Sequence, residues 1–444
     1  MSVKKPELLA PAGDLTRMKY ALAYGADAVY AGQPAFSLRA RENGFRNLDD
    51  LAEGVAYVHG QGKKFYLTSN VIPRNTKVEP FQKALLAALE LKPDALIVAD
   101  PGFVGWLRKV SPQTEVHLSV QANTTNYLTA SFWKDLGVRR IILSRELRLS
   151  EILEIKERVP DLELEVFVHG AVCMAMSGRC MLSNWVTRRD ANQGACDNSC
   201  RMPYRLYANE GPQCEDYKEH EGEFFLQRTD RPELQPVALD EDTWGTYFMS
   251  SRDLCALDVV PELVRAGLDS FKIEGRTRSV YYLSQVVRAY RMAIDASVNA
   301  LESGDSSPAD LNEARHALDF VDGRGFMPGF LKGPLPQNYD STHVDAPSGC
   351  VCAQILDYDA PTRSFRVNVK NQFSMDDSLE FMTPEGMSLC KISSLKNFRG
   401  EDADRLNPGT EGRVFIQDSG DFSLKNVKFG FFVKRTCPNS GTNT

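Results

Sequence analysis

Four cysteines near the middle of the chain have the residue type and spacing to bind a metal centre. Cys173, Cys180, Cys196 and Cys200 follow the pattern Cys-x6-Cys-x15-Cys-x3-Cys. Zinc sites favour two tight Cys-x2–4-Cys pairs, and only the second pair here is tight. Iron–sulfur clusters accept more varied spacings, because each thiolate needs only to reach the cluster. The spacing favours an iron–sulfur cluster over zinc, and four unliganded thiols remain as a third alternative.

Arginines give the cysteine segment a local positive charge. Arg179, Arg188 and Arg189 lie among the cysteines, opposed by Asp190 and Asp197. Guanidinium groups beside a metal centre can bind the phosphates of RNA. The alternative, weighted equally on charge alone, is an ordinary solvated surface.

A second polar set lies where the predicted strands end. Arg145 and Arg276 are the expected anchors of an anionic small molecule, because a guanidinium can pair with a carboxylate through two parallel hydrogen bonds. Lys272, Asn70 and Gln121 complete the expected substrate-binding set.

Three further residues are candidates for proton transfer. Glu146 and Glu274 could act as acid or base, although each could equally be the ion-pair partner of a neighbouring arginine. His169 lies four residues before Cys173 and could act in proton transfer, orient the site, or only cap its strand.

Eight short apolar segments alternate with segments of helical spacing over the first two-thirds of the chain. The predicted strands are Glu7–Ala12, Ala28–Gln33, Lys64–Val71, Ala95–Pro101, Glu115–Val120, Arg140–Arg145, Leu164–Ala171 and Ser270–Gly275. The predicted helices between them are Leu15–Tyr24, Leu48–His59, Val78–Leu91, Tyr127–Leu136 and Leu149–Val159. This alternation predicts a TIM-like (β/α)8 barrel. An open doubly wound sheet is the alternative, but the G-x-G-x-x-G turn that would favour it is missing after the first strand.

The predicted fold class is α/β, with a second, smaller unit. The barrel is expected over residues 1–325, with an insertion at 172–255 after strand seven that carries the cysteines. An insertion of this length needs a staple, which a bound metal centre could supply. After Pro334, short alternating strands predict an antiparallel all-β domain over residues 345–437.

The composition sets limits on location and partners. The chain has 444 residues, of which 43% are hydrophobic and 25% charged, and a formal net charge of −7. This charge argues against a general nucleic-acid coat but leaves a local basic site open. No apolar run approaches a membrane span, and no signal segment is visible. We therefore expect a cytoplasmic protein with no membrane partner, in which thiols serve metals or catalysis rather than disulfides.

Five stretches of the sequence resemble the peptidase U32 family. They are Pro6–Gly13, Tyr24–Gln33, His117–Asn123, Glu165–Cys180 and Asp269–Arg276. The segment around Cys173 and Cys180 is specific to the family. Within the family, the length, the segments Tyr-Ala-Gly-Gln-Pro and Ile-Leu-Ser-Arg-Glu, and the C-terminal β domain are most similar to the members that hydroxylate tRNA.

The resemblance implies an enzyme that hydroxylates wobble uridine of tRNA to 5-hydroxyuridine. It implies prephenate, a small dicarboxylate, as co-substrate and a 4Fe-4S cluster on Cys173, Cys180, Cys196 and Cys200, with a transient electron or cluster donor as a further partner. Some members lack the equivalent of Cys200, so Cys255 stays open as the fourth ligand. Two other functions remain open: a collagenase-like peptidase, although no protease motif is present, and a non-catalytic, zinc-stapled RNA-binding protein.

Overall fold

In the computed structural model, the larger unit is a closed barrel of eight parallel strands. The structure describes residues 3–38, 40–173, 175–204, 252–304, 309–323, 325–333, 349–417 and 425–435, with short strand segments between 207 and 247. The barrel strands are β1 (Glu7–Pro11), β2 (Ala28–Gly32), β3 (Lys64–Ser69), β4 (Ala95–Val98), β5 (Val116–Leu118), β6 (Arg140–Ile142), β7 (Glu163–Gly170) and β16 (Ser270–Ile273). Strand β16 pairs with both β1 and β7, which closes the barrel. The predicted TIM-like barrel is confirmed.

Helices surround the barrel on its outer side. They are α1 (Leu15–Ala23), α2 (Leu48–Gly60), α3 (Val78–Leu89), α4 (Pro101–Val110), α5 (Tyr127–Asp135), α6 (Leu149–Arg158), α8 (Val260–Arg265), α9 (Val280–Ser303) and α10 (Asn312–Leu318), and the short α7 (Leu182–Thr187) lies in the insertion. Asp14 and Asn47 accept hydrogen bonds from Arg17 N and Asp50 N, which caps α1 and α2. Helix α4 was not predicted, because two glycines dilute its apolar pattern; Asp100 caps it. No helix among the described residues is long and apolar enough to cross a membrane.

Alternation along the strands sorts side chains into two cores. Leu8 and Val29 face outward and join the large core under the helices, whereas Leu9 and Tyr30 face inward and join a smaller core inside the barrel. This alternation determines which side chains can reach the cavity at the barrel mouth.

The insertion runs between β7 and β16. Its first part contains α7 and the 3-10 helices Met176–Gly178, Ala191–Gln193 and Ser199–Arg201. Short strands follow: β8 (Pro203–Tyr204), β9 (Tyr207–Asn209), β10 (Tyr217–Glu219), β11 (Phe225–Leu226), β12 (Val237–Ala238), β13 (Asp240–Asp242), β14 (Gly245–Tyr247) and β15 (Asp253–Cys255). Strand β15 pairs antiparallel with β7 and parallel with β17 (Phe326–Met327). Much of the predicted insertion beyond residue 204 lies outside the described residues.

The C-terminal unit is an antiparallel all-β domain, as predicted. Its main sheet contains β18 (Cys350–Asp359), β19 (Ser364–Val369), β21 (Leu379–Thr383), β22 (Gly386–Cys390), β23 (Ile392–Asn397), β25 (Glu411–Ile416) and β26 (Phe431–Lys434), and β20 (Phe373–Ser374) pairs with β24 (Arg405–Leu406). Phe365 and Phe432 belong to the core of this domain, whereas Phe431 belongs to the core of the barrel. The predicted limits, residues 345 and 437, lie outside the described residues.

Candidate active site

A cavity of about 280 Å³ opens at the end of the barrel where the strands finish. This is the face on which barrel enzymes bind their substrates. Its lining includes the predicted polar residues Asn70, Gln121, Arg145, Lys272, Glu274 and Arg276 and the four cysteines Cys173, Cys180, Cys196 and Cys200. The structure therefore brings all four predicted metal ligands and most of the predicted polar set to one place.

Two cations of the cavity lie against aromatic rings. The Arg145 guanidinium carbon lies 3.8 Å from the centroid of the Phe167 ring, and Lys272 Nζ lies 4.3 Å from that of Tyr30. Arg145 Nη2 is also 3.9 Å from Glu274 Oε2. A cation over a ring face is stabilised by about 1–2 kcal/mol where it is desolvated. The rings therefore hold both cations in place while leaving hydrogen-bonding groups available to an anion.

A buried ion network holds Lys272 from below. Lys272 Nζ donates to Glu165 Oε1 at 2.8 Å, and Arg140 Nη1 lies 3.3 Å from Glu165 Oε2 and 2.5 Å from Glu7 Oε1. Burial alone would raise the pKa of Glu165, but Lys272 and Arg140 outweigh it and lower that pKa below its usual range. Glu165 is therefore ionised, and its hydrogen bond holds the Lys272 side chain in position at the cavity floor.

Two glycines allow the end of β16 to approach the neighbouring strands. Gly170 has φ +106°, and a Cβ there would lie 2.1 Å from Glu274 O. A Cβ on Gly32 would lie 2.2 Å from Arg276 Nη1. A larger residue at Gly170 would displace the backbone at Glu274, and one at Gly32 would displace the Arg276 guanidinium.

Asn70 and Gln121 are held by their surroundings. Asn70 Nδ2 donates to Ser119 Oγ at 3.1 Å, and its Oδ1 accepts from Leu38 N at 3.2 Å. Gln121 lies in the 3-10 helix Val120–Ala122, and its carbonyl accepts a hydrogen bond from Arg179 Nε at 2.8 Å. The Asn70 amide and the Gln121 backbone thus have fixed positions in the wall of the cavity.

Glu146 contacts the insertion and is not among the residues that line the cavity. Its carboxylate accepts hydrogen bonds from Ser177 N at 2.5 Å and from Ser177 Oγ at 3.0 Å. The geometry gives it the role of an anchor for the loop between the first two cysteines. The predicted part of Glu146 in proton transfer has no support from this geometry.

His169 is also not among the cavity-lining residues, because its ring points toward α9. Its Nδ1 lies 3.3 Å from Tyr290 Oη, and the rings of Tyr282 and Phe326 pack on it. Pairing between β7 and β16 is irregular just before His169, which breaks the alternation that placed Phe167 inside. Burial lowers the pKa of His169 to about 3, so the ring is neutral. The geometry indicates a packing role.

The three insertion arginines predicted to bind substrate, Arg179, Arg188 and Arg189, do not line the cavity. Arg179 is exposed, with its Nε bonded to Gln121 O. Arg188 is exposed at the end of α7, and Arg189 is partly buried, with its carbonyl accepting from Ser183 Oγ at 2.8 Å. Arg179 and Arg188 therefore lie on the outer surface of the insertion.

Hydrogen bonds support the thiols in the roof of the cavity. Leu182 N lies 3.3 Å from Cys180 Sγ, and Asn198 N lies 3.4 Å from Cys196 Sγ. Donation from backbone N–H groups stabilises a thiolate, and such bonds to sulfur are among the features that tune iron–sulfur clusters. Asn192 bonds both the N–H and the carbonyl of Cys180, at 3.3 and 2.8 Å, which fixes that ligand further.

All four thiols line one cavity and are partly exposed. Among the described residues, no three His, Cys, Asp or Glu side chains are grouped closely enough to hold one metal ion. A tetrahedral zinc site requires sulfurs about 2.3 Å from a single ion. In a 4Fe-4S cluster the cysteines bind separate irons, so they lie farther apart. The donor set of four partly exposed thiols around one cavity fits a cluster.

Cys255 is separated from this group. It lies in β15 beside His169, and Tyr290 Oη is 3.7 Å from its sulfur. Burial raises the pKa of its thiol, which disfavours the thiolate that binds metals. The arrangement therefore groups Cys200, and not Cys255, with the other three cysteines.

Comparison with protein families decides where this chain belongs. A model of peptidase family U32 matches residues 13–340, and a model of the peptidase family U32 C-terminal domain matches residues 350–426. The chain belongs to peptidase family U32.

Several relatives of this U32 protein have names that refer to RNA hydroxylation. The tRNA hydroxylation protein P of Haemophilus influenzae is 41% identical over an alignment of 445 residues that covers 95% of both chains. The tRNA hydroxylation protein P of Escherichia coli is 40% identical over 441 residues, again 95% of both. The 23S rRNA 5-hydroxycytidine synthase of Escherichia coli is 34% identical over 316 residues, which cover 71% of this chain and 43% of that relative.

Sequence reasoning missed three residues at the floor of the U32 cavity: Tyr30, Phe167 and Glu165. Tyr30 Oη lies 3.3 Å from Glu274 Oε2, and burial raises the pKa of its hydroxyl, so it remains a proton donor. The sequence does contain a pattern that indicates their position: these residues alternate along their strands with apolar residues that face outward. Applying the two-residue period inside each strand would have placed them in the barrel.

Proposed function

We propose that this protein is an enzyme that hydroxylates wobble uridine of tRNA to 5-hydroxyuridine. The observation that carries the proposal is the single cavity lined by four cysteines and by the cations Arg145, Lys272 and Arg276. The names of the relatives at 40–41% identity, which align over 95% of this chain, support tRNA as the substrate. The proposed location is the cytoplasm.

Cys173, Cys180, Cys196 and Cys200 would hold a 4Fe-4S cluster in this enzyme. The four partly exposed thiols around one cavity and the N–H donors to two sulfurs support this assignment. When bound, a cluster supplies one-electron redox chemistry at the cavity. A transient electron or cluster donor would then be a further partner.

A small dicarboxylate, proposed to be prephenate, would bind at the barrel side of the cavity. Arg145 and Arg276 offer guanidinium groups that match carboxylates, and Lys272 adds a fixed positive charge. Glu274 adjoins this group and Tyr30 Oη, so it is the candidate to hold or move a proton. Glu146 and His169 then have structural roles: Glu146 anchors the loop between the first two cysteines, and His169 packs against α9.

The purified protein provides the test. The protein would be isolated without oxygen and its iron and sulfide measured. Unmodified tRNA would then be added with and without prephenate, each in the presence and in the absence of dioxygen as oxygen donor and oxidant. We expect a brown protein whose product, measured by mass spectrometry, is 5-hydroxyuridine formed only with prephenate. A colourless protein with one zinc that binds tRNA without modifying it would contradict the proposal, and metal-dependent cleavage of gelatin by an RNA-inactive preparation would favour a peptidase.

A further inference from the structure

The insertion carries the two most exposed large apolar side chains of the described residues. Trp185 is 80% exposed and Met181 is 75% exposed, and Met176, Val186 and Met202 of the same segment are exposed as well. Such apolar side chains lose favourable burial unless something covers them, so a cluster of them marks an interaction site.

Helix α7 and its N-cap residue place Met181, Trp185 and Val186 at the rim of the cavity. Trp185 lies three residues after Leu182, which lines the cavity, and Trp185 N donates to Met181 O at 2.9 Å. Residues three apart on a helix are neighbours, with about 5–6 Å between their Cβ atoms. Ser183 lies on the buried side of α7, bonded to Arg189 O, so the indole is directed outward. A polymer whose reacting unit enters the cavity would bring its next unit to Trp185.

Charges around the indole favour an anionic occupant. Arg188 is exposed at the end of the same helix and Arg179 is exposed in the insertion, whereas Arg74 is paired with Asp190 and Asp197 is bonded to Thr187 Oγ1. An aromatic side chain beside cations is the arrangement on which single-stranded nucleic acids stack. A protein partner commonly buries about 800 Å² on each side, whereas a tryptophan side chain offers about 150–250 Å². The patch therefore suits a few bases better than a protein interface.

We propose that Trp185 and Met181 form a stacking platform for an unpaired base next to the reacting uridine, and that Arg188 contacts the adjoining phosphate. This inference rests on the proposed function, since it requires an RNA loop to enter the cavity. In this arrangement the insertion binds the RNA loop, and the barrel binds the reacting base.

Binding of an unmodified anticodon stem-loop RNA to the cluster-loaded protein tests the platform. Trp185→Ala should weaken binding by roughly 5- to 150-fold, while Trp185→Phe should stay within about threefold of the wild type because it retains a ring. Arg188→Gln should lower affinity and reduce the salt dependence of binding by about one ion. Phe132→Ala, which removes an exposed ring from α5, is the matched control and should have no effect.

The outcomes separate the platform from the proposed function. Weaker RNA binding by Trp185→Ala, with unchanged cluster content and with near-wild-type binding by Trp185→Phe, would support the platform. Equal binding by Trp185→Ala and an active wild type would overturn the platform alone. Slower turnover only when a protein reductant supplies electrons, with unchanged RNA affinity, would overturn it in favour of a protein partner. A wild type that neither binds nor hydroxylates RNA would overturn the proposed function and this inference together.

Discussion

Cys200 and Cys255 differ in the properties that decide whether a thiol can bind a metal. Cys200 lines the cavity with three other cysteines, whereas Cys255 lies in β15, which pairs with β7, and its sulfur is beside Tyr290 Oη. Since a metal ligand must be deprotonated, the raised pKa of the Cys255 thiol weighs against it. The geometry therefore favours Cys200 over Cys255 as the fourth ligand, a choice that the cysteine spacing alone leaves open.

Serine substitutions test this choice. Cys200→Ser should lower the iron content of anaerobically purified protein at least as much as Cys196→Ser, because each removes one of four cluster ligands. Cys255→Ser should keep wild-type iron and sulfide content. Retention of the cluster by Cys200→Ser together with its loss in Cys255→Ser would contradict the assignment.

The buried ring of His169 should make stability depend on pH. Its folded pKa is about 3 and its unfolded pKa about 6.5, so between these values only the unfolded state binds the proton. Stability should fall as pH drops below about 6.5, by up to about 1.4 kcal/mol per pH unit. His169→Gln should reduce the loss of melting temperature between pH 7 and pH 5, and His316→Gln, at an exposed site, should not. An unchanged loss in His169→Gln would show that the ring is protonated in the folded state.

The insertion is held over the barrel by hydrogen bonds from several loops. Gln193 Nε2 donates to Ile72 O at 2.6 Å, Arg179 Nε to Gln121 O at 2.8 Å, and Ser177 bonds to Glu146. Each such bond is worth about 1–3 kcal/mol when broken at a buried or charged group. The position of the cysteines therefore depends on contacts between elements far apart in the sequence.

Removal of the Glu146 anchor should loosen the first cysteine loop. Glu146→Ala should release iron to a chelator several-fold faster than the wild type, because Ser177 loses its acceptor. Protein with a full cluster should still hydroxylate tRNA at a comparable initial rate. Glu151→Ala, which removes a similar carboxylate bond at the start of α6, is the control. Loss of turnover with an intact cluster would instead make Glu146 an acid or base.

At the scale of elements, sequence periodicity predicted the regular strands of the barrel. It did not predict features that depart from a regular pattern. All eight barrel strands were predicted because each is an apolar run, but α4 was missed because Gly102 and Gly105 interrupt its pattern. The orientation of His169 depends on an irregularity in the pairing of β7 with β16. No residue type in the β7 sequence predicts this irregularity. The role of Glu146 depends on Ser177, in a loop whose path follows from tertiary contacts.

The barrel and the C-terminal domain share a core, so the molecule should unfold with its two units coupled. Phe431 of β26 lies 5.4 Å from the Tyr20 ring and 5.3 Å from the Tyr281 ring, between centroids. Tyr24 Oη donates to Phe429 O at 2.9 Å across the same contact. These side chains join the C-terminal sheet to α1 and α9 of the barrel.

Substitutions on the two faces of the C-terminal sheet test the coupling. Phe431→Ala should cost about 3–5 kcal/mol and should separate the calorimetric unfolding of the two units. Phe365→Ala, in the domain's own core, should lower the shared transition without splitting it. Identical thermograms for the two variants would show that the contact between the units contributes little.

The most direct test of the whole molecule is the amount of 5-hydroxyuridine at the wobble position of tRNA. It would be measured by mass spectrometry in cells that lack this protein and any redundant pathway. We predict that the wild type and Cys255→Ser restore the modified base, and that serine at Cys173, Cys180, Cys196 or Cys200 does not. Normal levels of 5-hydroxyuridine without the protein, or full restoration by all four cysteine variants, would contradict a cluster-dependent tRNA hydroxylase.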